Sequence, residues 1–389
     1  MITIKPRPPQ QECLDLINAN PTGRYIIAAH VGYGKRQPYS SLILTPNGFV
    51  KMGDLKIGDI VYDGYGEETN VTGIYEQGVQ DVYKITFSDD SVCECGLEHL
   101  WKVKTHRSKN WKVITLEEIM DKGLYLLNGS KGIQLEGKEG KYAYRYEIPL
   151  ASINHKPKDF DIHPYLMGVL LGDGCFTEKQ QTCQISCPDS AYDIIENVEK
   201  VLPQGYYLRA NRYNKCPHYV ISSGEINKSF LHYIDDLGLR KYSKDKFIPN
   251  VYLQGSREQR KELLSGLLDT DGSVGKRNQI TFHTTSKQLA LDVIKLIQSL
   301  GGIGKLRIYD RADVNKPIEY QVNVSVNFNP FKTSIKASKV TERVKFTPKR
   351  KFKSIEKVRQ EQSRCIMVDS PDHTYITNDY IVTHNTYIS

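Results

Sequence analysis

The sequence predicts an all-β domain, residues 36–151 and 350–385, split by an α+β insertion at 152–349 that is built from two pseudo-symmetric repeats. Three observations predict this. From Gln37 to about Leu150, short alternating apolar runs are separated by turn signals, Pro46-Asn47-Gly48, Asp63-Gly64 and Ser88-Asp89-Asp90, the pattern of half-buried strands. A nine-residue motif recurs in the middle of the chain at a fixed offset. The run from Cys365 to His384 is again β-rich and too short for a core of its own, so it must complete the sheet begun at residue 37.

Composition sets the outer limits. A chain of 389 residues can bury two or three cores, and 39% hydrophobic with 25% charged residues is ordinary for a globular protein. With no apolar run of about 18 residues and no signal peptide, the expectation is a cytoplasmic, intracellular monomer with no membrane partner. The eight cysteines are scattered, and Cys93-Glu94-Cys95 has no second pair at zinc-ligand spacing, so reduced thiols are expected. The whole net charge of +8 falls within 152–349. Charge alone suits a solvated basic face and a nucleic-acid surface equally.

Residues 1–35 read as the start of a nucleotide-binding domain. Arg7-Pro8-Pro9-Gln10-Gln11 precedes a helical pattern at Leu14 and Ile17, and an apolar strand from Tyr25 to Ala29 runs into glycines. Gly32 and Gly34 let backbone N–H groups approach a phosphate, and Lys35 reaches its outer oxygens. The hydroxyl that would hold Mg²⁺ is missing, because residue 36 is Arg. Thr386 supplies it when read directly after Lys35, giving Ala-x-x-Gly-x-Gly-Lys-Thr. These pieces resemble the P-loop of a superfamily 2 helicase cut between its lysine and its threonine. That resemblance implies ATP and Mg²⁺ for the rejoined host, and the end three residues after Thr386 reads as a truncated one.

In the middle, Leu166-Met167-Gly168-Val169-Leu170-Leu171-Gly172-Asp173-Gly174 matches Leu264-Ser265-Gly266-Leu267-Leu268-Asp269-Thr270-Asp271-Gly272. Leu208-Arg209 returns as Leu306-Arg307, Asp193-Ile194-Ile195 as Asp292-Val293-Ile294, and Lys246-Phe247-Ile248-Pro249 as Lys345-Phe346-Thr347-Pro348, all at nearly the same offset. Each motif reads as a helix ending at an acid. Pro164 suits the first turn of one, and Ser256-Arg257-Glu258-Gln259 is a capping box for the other. Gly168 and Gly266 permit close packing, which brings Asp173 and Asp271 side by side. Two such carboxylates repel, and a divalent cation relieves the repulsion.

These residues resemble the LAGLIDADG homing endonucleases of the single-chain, two-repeat kind. The resemblance implies a saddle of strands on double-stranded DNA, one acid per cleaved strand, and Mg²⁺ held by Asp173 and Asp271. Lys246 and Lys345, which the repeat places equivalently, are the candidates for the basic residue beside each scissile phosphate. Leu171 stands where the motif usually carries its first acid. Strands around Tyr206 to Ile221 and Lys305 to Val326 alternate basic or aromatic with apolar residues, so Arg209, Arg212, Lys215, Arg307 and Arg311 are the candidate DNA contacts.

Gly53-Asp54-Leu55-Lys56-Ile57-Gly58-Asp59-Ile60-Val61 resembles the early strands of the hedgehog/intein (Hint) fold, and Val382-Thr383-His384-Asn385-Thr386 resembles an intein's downstream junction. Ordinary inteins open with Cys or Ser; Arg36 has no nucleophile. Trp101 two residues after His99, Cys365 opening Cys365-Ile366-Met367-Val368, and Thr386 after Asn385 match the Trp/Cys/Thr signature of class 3 inteins. The resemblance implies that Cys365 attacks the Lys35 carbonyl, Thr386 takes the acyl group and Asn385 cyclises, without a cofactor. His99 would polarise the upstream amide, and His384 and His373 would assist cyclisation. Gly96, three residues before His99, stands where many inteins have Thr.

The expected division is therefore an N-extein at 1–35, the Hint parts at 36–151 and 350–385, the endonuclease at 152–349 and the start of a C-extein at 386–389, in a prokaryotic or phage-like host. Its DNA partner would be the intein-free allele of the host gene. A splicing-defective remnant that only binds DNA, or an ATPase fragment, is the rival reading.

Overall fold

The computed structural model describes residues 36–384 apart from 106–107, 109, 129–131, 137, 212–215, 225–227, 311–316 and 341–346, together with Asp15, Asn18 and Ala19. Gly32, Gly34, Lys35, Asn385 and Thr386 lie outside the described residues, as do Arg212, Lys215, Arg311 and Lys345.

One pair of long strands organises the β-rich part. Glu68–Phe87 runs antiparallel to Arg350–Val368, from Val71 opposite Val368 to Phe87 opposite Phe352, with four register shifts along the way. Such irregularities bend a ladder. The bend lets the two ends of one pair serve different cores, Ile85, Phe87 and Phe352 around Trp101 at one end and Val71, Ile366 and Val368 at the other. Around this pair twelve strands form a single sheet.

Strands from both sides of the middle segment are hydrogen-bonded in that sheet. Gln37 pairs with Arg364 and Pro38 with Ser363; Leu42–Thr45 meets Thr374–Thr377 at Ile43 and Thr377; Ile381–His384 meets Leu100–Thr105 at His384 and Leu100. A tail too short for its own core is thus buried on strands more than 200 residues earlier in sequence. The all-β expectation needs correcting, because Leu116–Lys122 is a helix within this part and the whole chain is a mixture of sheets and helices. Local signals explain it: Thr115 Oγ1 accepts from Glu118 N at 3.1 Å, and Gly123, at φ +74°, ends the helix. Leu116 and Ile119 on its inner face complete the core around Trp101.

The middle segment holds two motif helices, Pro164–Asp173 and Arg257–Asp271, each ending at its aspartate. Pro164 occupies the first turn, and Ser256 with Gln259 forms the expected capping box. Each helix leads into a four-stranded sheet. The first has the order Gly174–Cys175, Cys183–Ser186, His218–Ser223, Tyr206–Asn211; the second has Gly272–Val274, Ile280–Thr284, Glu319–Ser325, Ile303–Tyr309. Both sheets follow the same order relative to the chain.

The helices touch through their glycines. A Cβ at Gly266 would run into the Tyr165 carbonyl and lie 3.0 Å from Gly168 Cα, while one at Gly168 would meet the Leu263 carbonyl and lie 2.9 Å from Gly266 Cα. Backbone blocks both, so neither position can yield by a rotamer change. Gly266→Ala should therefore cost about 1–3 kcal/mol of stability, measured as a lowered urea midpoint at unchanged m-value.

A buried arginine holds the middle segment together, and an exposed ion pair ties it to the β-rich part. Arg260, fully buried on the second motif helix, donates from Nη1 to the Ser299 carbonyl at 2.7 Å, from Nε to the Gly255 carbonyl at 2.9 Å and from Nη2 to the Ile153 carbonyl. Lys305, on the outer strand of the second sheet, pairs with Asp90 at 2.8 Å. Among the described residues no helix is long and apolar enough to cross a membrane.

Candidate active sites

The first site lies at the C-terminal ends of the motif helices. Close packing at the glycines brings Asp173 and Asp271 within reach of each other's charge. Burial pushes both carboxyls up, and for Asp271 the Asp173 charge adds to it, lifting its pKa to about 7. Neither carboxylate has a hydrogen-bond or ion-pair partner among the described residues. Free oxygens on two adjacent, desolvated acids are a donor set for a hard divalent cation. No cluster of three or more His, Cys, Asp or Glu side chains suited to a metal occurs among the described residues, so water and substrate oxygens would have to complete the shell.

Two lysines bracket these acids. Lys246, buried, donates from Nζ to the carbonyls of Leu170, Leu171, Gly172 and Gly174 at 2.8–3.1 Å. Lys336 donates to those of Leu268, Asp269 and Thr270 at 3.0, 2.6 and 3.0 Å. Each lysine thereby caps the last carbonyls of one motif helix, where the helix dipole is negative. Burial lowers Lys246 to about 8 against the pull of both aspartates, and lowers Lys336 as well. Lys345, the expected partner of Lys246, lies outside the described residues; the place corresponding to Lys246 on the second helix is taken by Lys336. Its spacing from Lys246 is shorter than the repeat offset, so sliding the sequence on itself passes over it.

Asp269 and Leu171 occupy the same place in the two motifs, and both are buried. Asp269 accepts from Thr333 N at 3.2 Å, Thr333 Oγ1 at 3.0 Å, Lys332 N at 3.1 Å and Tyr165 Oη at 2.9 Å. Its carboxylate anchors the segment that leads into the short helix carrying Lys336, which is a structural task. Arg209 and Arg307 are exposed on the outer strands of their sheets, opposite Val220 and Gln321.

The charge cost at the acid pair has a pH signature. Because the folded pKa of Asp271 is raised from 3.8 to about 7, the folded state binds the proton more tightly than the unfolded one, and metal-free protein loses stability as pH rises across that window. Asp271→Asn should remove the loss and stabilise the protein at pH 8 by on the order of 2 kcal/mol, read from denaturant curves at pH 4 and pH 8.

The second site lies on the twelve-stranded sheet. Continuing the register of Gln37 with Arg364 by one residue sets Arg36 opposite Cys365. Cys365 is 4% exposed, with its thiol 3.4 Å from the Ile366 carbonyl. His384 pairs with Leu100, which lies between His99 and Trp101. His99 Nε2 is hydrogen-bonded to Thr383 Oγ1. Trp101 is wholly buried, with ring centroids 5.6 Å from His99 and 5.4 Å from Phe352. His373, at φ +53°, has its ring 6.4 Å from that of His384. The bond from Thr383 to His99 was not foreseeable, since nothing in the sequence ties those two residues together.

Residues 258–336 match the LAGLIDADG-like domain family. The chain is 27% identical over 382 residues to a replicative DNA helicase DnaB from Mycobacterium intracellulare, covering 93% of this chain and 60% of the relative. It is 25% identical over 285 residues to a ribonucleoside-diphosphate reductase NrdEB subunit alpha from Bacillus subtilis, covering 67% of this chain and 25% of that one. Among solved structures, I-DmoI in complex with DNA and Ca is similar at 12% identity and a TM-score of 0.33, over 46% of this chain and 95% of that one. An Msm DnaB1 intein splicing domain bound with zinc is similar at 26% identity and a TM-score of 0.17, over 17% of this chain and 54% of that one.

The family match covers residues 258–336, the part of the middle segment that carries the second motif helix and its sheet. With the helicase relative, it fits an intein with an inserted LAGLIDADG endonuclease in a helicase.

Proposed function

We propose that residues 36–385 excise themselves by class 3 protein splicing, and that 152–349 form a two-repeat, site-specific endonuclease inserted between the halves of one Hint domain. The observation that carries the splicing reading is the pairing of Gln37 with Arg364, whose register, continued by one residue, brings Arg36 opposite Cys365. A nucleophile is needed next to the Lys35–Arg36 bond, and Arg36 has none. Cys365 forms the thioester with Lys35, Thr386 accepts the acyl group, and cyclisation of Asn385 frees the intein. His384, just before the downstream junction, pairs with Leu100, so His99, His373 and His384 are the proton carriers at the two junctions. Trp101 walls that site from water. The joined product, Lys35 followed by Thr386, regains a P-loop that binds ATP and Mg²⁺ in the host helicase.

The nuclease reading rests on the buried acid pair, which has no partner among the described residues. Asp173 and Asp271 would hold Mg²⁺, which when bound supplies an activated water and charge stabilisation for phosphodiester hydrolysis. Lys246 and Lys336 hold the helix ends and place a positive charge beside each acid. The sheets, with Arg209 and Arg307 on their outer strands, face the backbone of double-stranded DNA. The test for both activities is made on one preparation: intact mass for loss of residues 36–385, and Mg²⁺-dependent cutting of duplex DNA that spans the uninterrupted P-loop codons. An intact 389-residue chain and uncut DNA would refute both.

A further inference from the structure

Arg36, whose amide closes the upstream junction, is held through its guanidinium tip and its backbone carbonyl. Its Nη2 lies 2.7 Å from Glu98 Oε2, with 14% of the arginine side chain and 29% of the glutamate exposed. Gly96 N donates to the Arg36 carbonyl at 3.0 Å, and His99 N donates to the Gly96 carbonyl at 3.2 Å, so the turn that delivers His99 also grips the backbone of Arg36. A Cβ on residue 96 would sit 2.8 Å from both Cγ and Nε of Arg36. The next residue is locked as well: Gln37 Oε1 accepts from Tyr375 Oη at 2.7 Å, and its Nε2 donates to the Glu94 carbonyl at 3.3 Å.

We infer that Arg36 is a positioning residue for the upstream junction, its guanidinium held by Glu98 in space that only glycine at 96 leaves open, so that the Lys35–Arg36 peptide is presented to Cys365. The inference rests on the reading of Cys365 as the nucleophile. In that step Cys365 Sγ bonds to the Lys35 carbonyl carbon, the Lys35–Arg36 C–N bond breaks, and the thiol proton ends on the Arg36 nitrogen as a free amine. Arg36 thus carries the leaving nitrogen, and fixing its backbone and side chain fixes the angle at which the thiol meets the carbonyl. The departure at residue 96 from the threonine of many inteins then has a physical reason. A Cβ there would force Cγ and Nε of Arg36 to shift from the path that reaches Glu98.

The test uses the full chain carrying Asn385→Ala, in which thiol-induced release of residues 1–35 reads the upstream step alone. Glu98→Gln and Gly96→Ala are each expected to slow release about tenfold or more. Gly96→Ala should add no further loss in an Arg36→Ala background, because the clash it creates is with the removed side chain. With Asn385 intact, cleavage before Thr386 should keep the parent rate in Glu98→Gln, which a general loss of fold would not allow. Release at the parent rate in both Glu98→Gln and Gly96→Ala, while Cys365→Ala still blocks it, overturns the positioning role. Upstream and downstream rates that fall together overturn it too. Release that survives Cys365→Ala overturns the underlying reading instead.

Discussion

Replacing Asp173 and Asp271 together by Ala should lower Mg²⁺-dependent DNA cleavage by about 10³-fold or more while making the metal-free protein more stable at pH 8. Opposite signs are the point of the experiment. If the acids were merely the ends of two helices, removing them would relieve at most a few tenths of a kcal/mol of dipole repulsion and leave cleavage unchanged. Burial raises both carboxyls and the Asp173 charge raises Asp271 further, Lys246 and Lys336 offset this only in part, and among the described residues neither acid accepts a hydrogen bond. That is a cost retained in the folded state, and a site that holds such a cost is expected to recover it on binding a cation and substrate. Added Mg²⁺ should raise the unfolding midpoint of the parent protein above pH 7 and leave the double variant unmoved. Cleavage that persists in the double variant, or a variant less stable than the parent at pH 8, would sink the assignment.

Cys365→Ala should abolish release of residues 1–35 and formation of the joined product, with no detectable splicing over hours. Three thiols are grouped in this part of the sheet, since Cys93 and Cys95 are also buried there and both bear, with Cys365, on the buried Tyr375 hydroxyl. They are not equivalent. Burial pushes Cys93 up to about 12 and Cys95 well above the usual thiol range, so both stay neutral at physiological pH. Cys365 adjoins Arg364, the strand partner of Gln37 just after the junction. Cys93→Ala should accordingly retain splicing, whereas a chain that splices with Cys365→Ala would exclude class 3 chemistry. Retained splicing at position 365 would direct attention to another nucleophile near Arg36.

Much of this was legible because it is local. The helix ends at Asp173 and Asp271, the proline start, the capping box at Ser256 and the turns at Asn47, Gly64 and Asp89 are written within a few residues of where they act. The helix at Leu116 is equally local, with Thr115 and Glu118 as its cap; the surrounding strand pattern masked it. Lys336 was not legible, because the two halves reach the same helix ends from different distances along the chain. Asp269 could be recognised as structural only once Thr333 and Tyr165 were seen to satisfy it. The P-loop residues, Asn385 and Thr386 lie outside the described structure, and their roles rest on sequence alone.

By itself the sequence determined the repeat, the two acids with the glycines that let their helices meet, and the mismatch between Arg36 and any ordinary first nucleophile. These are composition and spacing, and they survive without coordinates. Tertiary structure alone decided which lysine caps the second helix, which groups surround Arg36, and that Thr383 holds His99. The physical reason is that strand pairing and helix ends bring together residues hundreds of positions apart, and a register one residue off would have put another side chain opposite Arg36 in place of the thiol.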